Sequence, residues 1–290
     1  MNAKAALGFW LAVVLGLAAC QSDEDAATGT TSDEAYVAET AHAHGEDAPA
    51  ATPITSEPVT RELLEQELAY GEAGDHNLVG YLAMPADALE PLPGVIVIHE
   101  WWGLNDNIRA MTRRLAAEGF VALAVDLYGG AIATTPDDAE RLMAGVMDAP
   151  DATLGNLRQA HDYLDKYAFA PSIATLGWCL GGTWSLRTAL ALPEQLDAMV
   201  MYYGQAVTEP AQLERLNMPI LGLFAELDES IPVRDARLFR TRLMELGKQS
   251  TVYIYSDVGH AFANPSGLTY DAEAAEDAWA RTIEFLRMSL

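Results

Sequence analysis

From residue 61 onward, short continuous apolar runs alternate with stretches of helical spacing, and that rhythm leaves few folds open. Val95-Ile96-Val97-Ile98 is apolar and β-branched at every position, so as a strand it has no face to offer water and needs cover on both sides. Further runs of this kind are Phe120 to Val125, Ile173 to Gly177, Ala198 to Tyr203, Ile220 to Phe224 and Thr251 to Tyr255. Between and after them, helical spacing predicts helices over Asn107 to Glu118, Asp137 to Met147, Ala152 to Lys166, Gly182 to Leu192, Arg234 to Leu246 and Ala272 to Met288. Asn105 or Asp106 caps the first of these helices, and Gly119 ends it. Glu65 to Tyr70 and Leu78 to Met84 flank Gly71-Glu72-Ala73-Gly74-Asp75 and predict an opening hairpin. Strands alternating with helices imply an α/β fold, a mostly parallel central sheet covered by helices on both faces. In such sheets chemistry collects on the loops beyond the carboxyl ends of the strands.

Three polar residues stand just past three of those strand ends. Cys179 lies in Gly177-Trp178-Cys179-Leu180-Gly181-Gly182, between a strand and a helix. The segment matches the nucleophile elbow G-x-S-x-G with cysteine for serine, and its tight turn needs small residues two places either side. Such an elbow aims the amide of Leu180, at the helix start, towards developing negative charge. Asp228 follows the strand ending at Phe224, with Glu226 and Glu229 as competing acids, and His260 follows the strand ending at Tyr255. Nucleophile, acid and histidine in that order is the arrangement of α/β-hydrolases, so the expected fold class is the α/β-hydrolase fold.

These residues resemble the dienelactone hydrolase family, over about residues 65 to 290. The resemblance rests on the G-x-C-x-G-G elbow, on Asp228 to Pro232 as D-x-x-[IV]-P, and on Gly259 to Phe262 as G-H-x-F. Glu100 to Asn105, Asp126-Leu127-Tyr128 and Tyr202-Tyr203-Gly204 match its E-x-x-G-x-N, D-L-Y and Y-Y-G segments. The resemblance implies a hydrolase of a small ester or lactone, working through a Cys179-His260-Asp228 triad and a thioester, without metal or organic cofactor. It further implies that Glu100 contacts the resting thiol, and that the amide of Trp101 joins that of Leu180 in an oxyanion hole. The family's two carboxylate-binding arginines fall here on Gly130 and Asn264, which cannot replace a cationic clamp. Trp101, Trp102, Trp178 and Trp184 suggest instead an apolar pocket mouth. The alternative reading keeps the fold and makes the chain a non-catalytic or redox-active membrane-anchored protein.

The first sixty residues have a different character. Lys4 precedes an uncharged apolar run, Ala5 to Ala19, which at about fifteen residues is short for a membrane span. The run ends in Leu17-Ala18-Ala19-Cys20, which resembles a bacterial lipobox, so residues 1–19 read as a lipoprotein signal peptide and Cys20 as the lipidated residue. Gln21 in the next position, by resemblance to Gram-negative sorting signals, points to the periplasmic face of the outer membrane. With Cys20 acylated, Cys179 has no partner for a disulfide, since the chain holds 2 cysteines. Residues 21–60 carry nine carboxylates and no Lys or Arg, which predicts an acidic disordered tether over 20–60 and a catalytic domain over 61–290. His42 and His44, inside that stretch, are assigned no role. The whole chain has a formal charge of −25, of which 33 acidic and 16 basic residues give the domain −17. Such a surface repels nucleic acid, which is excluded as a partner.

Overall fold

The computed structural model describes residues 32–56 and 59–290. An eight-stranded sheet runs through the molecule in the order β1-β2-β4-β3-β5-β6-β7-β8. The strands are β1 (Leu63–Ala73), β2 (His76–Pro85), β3 (Gly94–Ile98), β4 (Val121–Val125), β5 (Ile173–Trp178), β6 (Ala198–Tyr202), β7 (Ile220–Ala225) and β8 (Ser250–Tyr255). β1 and β2 form the expected hairpin, and β2 joins β4 antiparallel, while every pairing from β4 to β8 is parallel. Both hairpin strands run longer than their apolar patterns, closing on a turn in which Gly74 takes φ 59°.

The helices are α1 (Asp33–Ala43), α2 (Asp106–Ala117), α3 (Pro136–Met147), α4 (Pro150–Lys166), α5 (Leu180–Ala191), α6 (Pro210–Leu213), α7 (Val233–Glu245) and α8 (Ala272–Ser289). Alternate residues of each central strand feed separate cores. Ile96 and Ile98 of β3 pack with Met143, Leu157, Trp184 and Phe239 from α3, α4, α5 and α7. Val95 and Val97 pack with Ile108 and Leu115 of α2 and with Ala278 and Ile283 of α8. The sheet is covered on both faces, as an all-apolar strand requires. Helix α2 is capped by Asn105, whose side chain accepts from the Ile108 amide at 3.1 Å.

The expectation of a disordered tether over 20–60 is corrected across residues 32–56. Ser32 caps α1 by accepting from the Ala35 amide, and Asp33 and Glu34 place negative charge at the helix N-terminus. Tyr36, Val37 and Thr40 are buried against the domain, and Asp33 forms a forked ion pair with Arg187. Farther on, Thr52 and the Ala50 carbonyl bond to Asn107, and the Thr55 carbonyl accepts from Arg113. Composition misses this because one aromatic and a few small apolar residues suffice once a preformed groove receives them. The proposed signal peptide and Cys20 lie outside the described residues. No helix among the described residues is long and apolar enough to cross a membrane.

Candidate active site

β5 ends at Trp178 and α5 begins at Leu180, so Cys179 alone makes the turn between them. Its backbone takes φ 53° and ψ −118°, a conformation that costs a residue with a side chain on the order of 1–3 kcal/mol. Two glycines make the turn feasible. A Cβ on Gly177 would stand 2.2 Å from the Gly181 carbonyl oxygen, and one on Gly181 would stand 2.1 Å from that of Ile98. Both obstacles are backbone, so no rotamer change relieves them.

Asp228 follows β7 and is buried. One carboxylate oxygen accepts from the amides of Ser230 and Ile231 at 2.9 and 2.7 Å, and the other meets His260 Nδ1 at 2.7 Å. The competing acids are elsewhere: Glu226 faces Arg237, and Glu229 is exposed. His260 is 3% exposed, and its Nε2 is buried. Burial pushes the ring towards the neutral form, but the charges of Asp228 and Cys179, with hydrogen bonding to both, raise its pKa well above the ordinary imidazole value. Sulfur, imidazole and carboxylate therefore converge at one rim of the sheet.

The loop after β3 carries Glu100 and Trp101. His99 accepts the Leu127 amide at Nε2 (3.1 Å), which leaves its proton on Nδ1 to donate to the Glu100 carbonyl at 2.6 Å. A trans peptide sets C=O and N–H opposed, so the Trp101 amide points away from His99. Tyr128 donates to the Trp101 carbonyl at 3.0 Å and fixes the next peptide. Neither the Trp101 nor the Leu180 amide donates to an acceptor among the described residues. Glu100 itself is held by Tyr203, which donates to Oε1 at 3.3 Å, and by Asn264, which donates to Oε2 at 2.6 Å. Burial raises its pKa to about 7, partly offset by His260 and by the Tyr203 bond. The structure thus gives the Glu100 carboxyl to Tyr203 and Asn264, not to the thiol.

What stands beside the thiol comes from the N-terminal segment. The Tyr36 hydroxyl lies 3.9 Å from Cys179 Sγ and accepts from Thr183 Oγ1 at 3.2 Å. His44 packs edge-on against His260 with ring centroids 5.0 Å apart, touches Trp101, and binds Asp47 through Nδ1 at 2.6 Å. Burial lowers the His44 pKa although Asp47 opposes this. Sequence reasoning passed over both residues. The usable signal was Ser32-Asp33-Glu34, a cap and acidic first turn, one residue before the segment's sole tyrosine region at Ala35-Tyr36. Of the four tryptophans, Trp101, Trp102, Trp178 and Trp184, all are no more than 3% exposed, and Trp178 lines a small cavity with Glu100 and Asn264.

A model of the dienelactone hydrolase family matches residues 78–290. The chain belongs to that family. Among its relatives, "Protein usf" of Aquifex pyrophilus is 37% identical over 218 residues, covering 72% of this chain and 92% of that one. The Escherichia coli (strain K12) protein named "Putative carboxymethylenebutenolidase" is 32% identical over 258 residues, covering 83% and 94%. The crystal structure described as "Putative Dienelactone Hydrolase from Klebsiella pneumoniae subsp. pneumoniae MGH 78578" matches with a TM-score of 0.68 at 27% identity, covering 77% of this chain and 98% of that one. As a dienelactone hydrolase family member, the protein is an ester or lactone hydrolase on an α/β-hydrolase fold. Tyr36 and His44 lie upstream of the residues the family model matches.

Proposed function

We propose that this hydrolase uses Cys179 as nucleophile, with His260 as its base and Asp228 holding the imidazole. The observation that carries the reading is His260, bonded to Asp228 through Nδ1 while its buried ring also interacts with the Cys179 thiol. The thiol proton passes to Nε2 and the sulfur attacks the carbonyl carbon of the substrate. Amides of Leu180 and Trp101 donate to the resulting oxyanion, each donor being worth roughly 3 kcal/mol. Collapse breaks the acyl–oxygen bond, the imidazolium returns its proton to the departing oxygen, and a thioester remains. Water, deprotonated by His260, then cleaves the thioester and restores the thiol.

The substrate we propose is a small ester or lactone without a carboxylate to be gripped. Gly130 offers no side chain, and Asn264 is already committed to Glu100. Glu100, near neutrality and hydrogen-bonded on both oxygens, acts in this reading as a polar wall of the pocket that can lend or take a proton. We further propose that the protein is exported and lipid-anchored at Cys20, on the strength of Leu17-Ala18-Ala19-Cys20. Replacing Cys179 with Ala in the full chain should reduce hydrolysis of short p-nitrophenyl esters and simple lactones to background. Turnover retained by that variant would refute the nucleophile. Radiolabelled palmitate incorporated by the wild type but not by Cys20→Ala is the expected result for the anchor, and no label in the wild type would refute it.

A further inference from the structure

We propose that Tyr36, carried by the N-terminal helix, is an active-site residue whose hydroxyl donates to the Cys179 sulfur in its thiolate form. The proposal deepens the reading of Cys179 as nucleophile and rests on it.

The case begins with proton bookkeeping around one hydroxyl. Thr183 Oγ1 accepts the Gln205 amide at 2.8 Å, and has one proton of its own to give. The shorter of its two outgoing contacts is to the Tyr36 oxygen, 3.2 Å against 3.4 Å to the Cys179 carbonyl. A phenol oxygen that accepts from Thr183 must send its own proton elsewhere. The polar atom within reach is Cys179 Sγ, at 3.9 Å. Tyr36 is wholly buried, so no water competes for that proton. Burial, followed by the nearby charge of Cys179, also raises the Tyr36 pKa well above the usual phenol value, which keeps the group a neutral donor throughout the working range.

Directionality matters here. A neutral hydroxyl donating to sulfur stabilises the charged form of the nucleophile without placing a second negative charge beside it, as a carboxylate would. Glu100, engaged by Tyr203 and Asn264, leaves that position open. The donor is positioned by its neighbours in the helix. Val37, one residue on, is buried, and the Asp33–Arg187 pair holds the start of the same helix. In the resting enzyme the contact favours transfer of the thiol proton to His260.

The test is a pH titration of thiolate ultraviolet absorbance in the full chain, taken as the difference from Cys179→Ala so that Cys20 cancels. Tyr36→Phe keeps the ring and removes the donor. Its thiolate should appear about one pH unit higher than in the wild type, the scale of a hydrogen bond to a charged group. Thr183→Val, which leaves the phenol but removes its orienting partner, should move the curve the same way by less. The ascending limb of the kcat/KM profile should follow both shifts. Titration curves of folded Tyr36→Phe and Thr183→Val that superimpose on the wild type would overturn the proposal. So would Tyr36→Phe with faster alkylation by iodoacetamide at high pH but an unmoved midpoint, since that is a cover and not a donor. Failure of the nucleophile reading is separate: it shows as esterase activity in Cys179→Ala, whatever the titrations give.

Discussion

Glu100 shows how a single buried carboxyl ties the site to stability. Its pKa rises from the ordinary carboxylate value of 4.5 to about 7, so between those values the folded protein holds a proton that the unfolded chain has released. Stability from this group is therefore greatest below about pH 4.5 and declines as pH rises to about 7, with no further loss above. The whole decline is on the order of 3 kcal/mol. Glu100→Gln removes the titration while keeping an oxygen for Asn264 and an amide that can donate to Tyr203. Urea unfolding of this variant should show a smaller fall in stability between pH 4.5 and 7.5 than the wild type, and higher stability at the upper value. Identical slopes for the two proteins would place the proton somewhere else. At this scale the sequence was informative about placement, since Cys179, Asp228 and His260 each stand just beyond a strand as their segments predict. It was silent on Glu100's partners, because Tyr203 and Asn264 reach it from segments more than a hundred residues away.

Elements differ in how far local rules decide them. The strands β3 to β7 follow from apolar runs that have no other stable use, and α2 begins where its Asn105 cap stands. The elbow between β5 and α5 likewise announces itself through its glycines. Gly181→Ala drives a Cβ into the Ile98 carbonyl, and the cost should meet or exceed the roughly 1–3 kcal/mol usual for overpacking. A thermal melt of that variant with unchanged midpoint would contradict the close approach. Helix α1 is the opposite case. Its own sequence shows almost no segregation of apolar residues to one face, and its order comes from the groove that takes Tyr36, Val37 and Thr40. An element held by so few buried side chains opens locally before the domain unfolds. Native-state hydrogen exchange should give α1 amides an opening free energy below that of β5 amides. Equal protection in both would mean that α1 is an integral part of the core.

The molecule as a whole is dominated by acid: 42 Asp and Glu against 17 Lys and Arg. Most of the ion pairs are on the surface, such as Arg61–Asp87 and Arg242–Glu245, and each is worth about 0–1 kcal/mol. They leave most of the repulsion between carboxylates uncompensated. Added sodium chloride should therefore raise the melting temperature, by about 2–4 °C for each 1 kcal/mol of repulsion screened. A melting temperature that falls on going from low salt to about 1 M would show that the ion pairs outweigh the repulsion. Composition reported this charge faithfully, but misjudged the acidic segment because net charge describes a stretch on average and docking depends on one or two side chains. The parallel sheet, by contrast, was legible throughout, since its burial demand is spread over the five strands from β3 to β7.

The contact between Tyr36 and Cys179 joins residues 143 positions apart. An expression fragment trimmed to start at β1, the natural choice for anyone isolating the domain, discards the phenol and His44 together. What would then be purified is a sibling catalyst with a bared sulfur and an uncovered imidazole. Its turnover, its reagent sensitivity and its acidity profile would describe the fragment, not the enzyme.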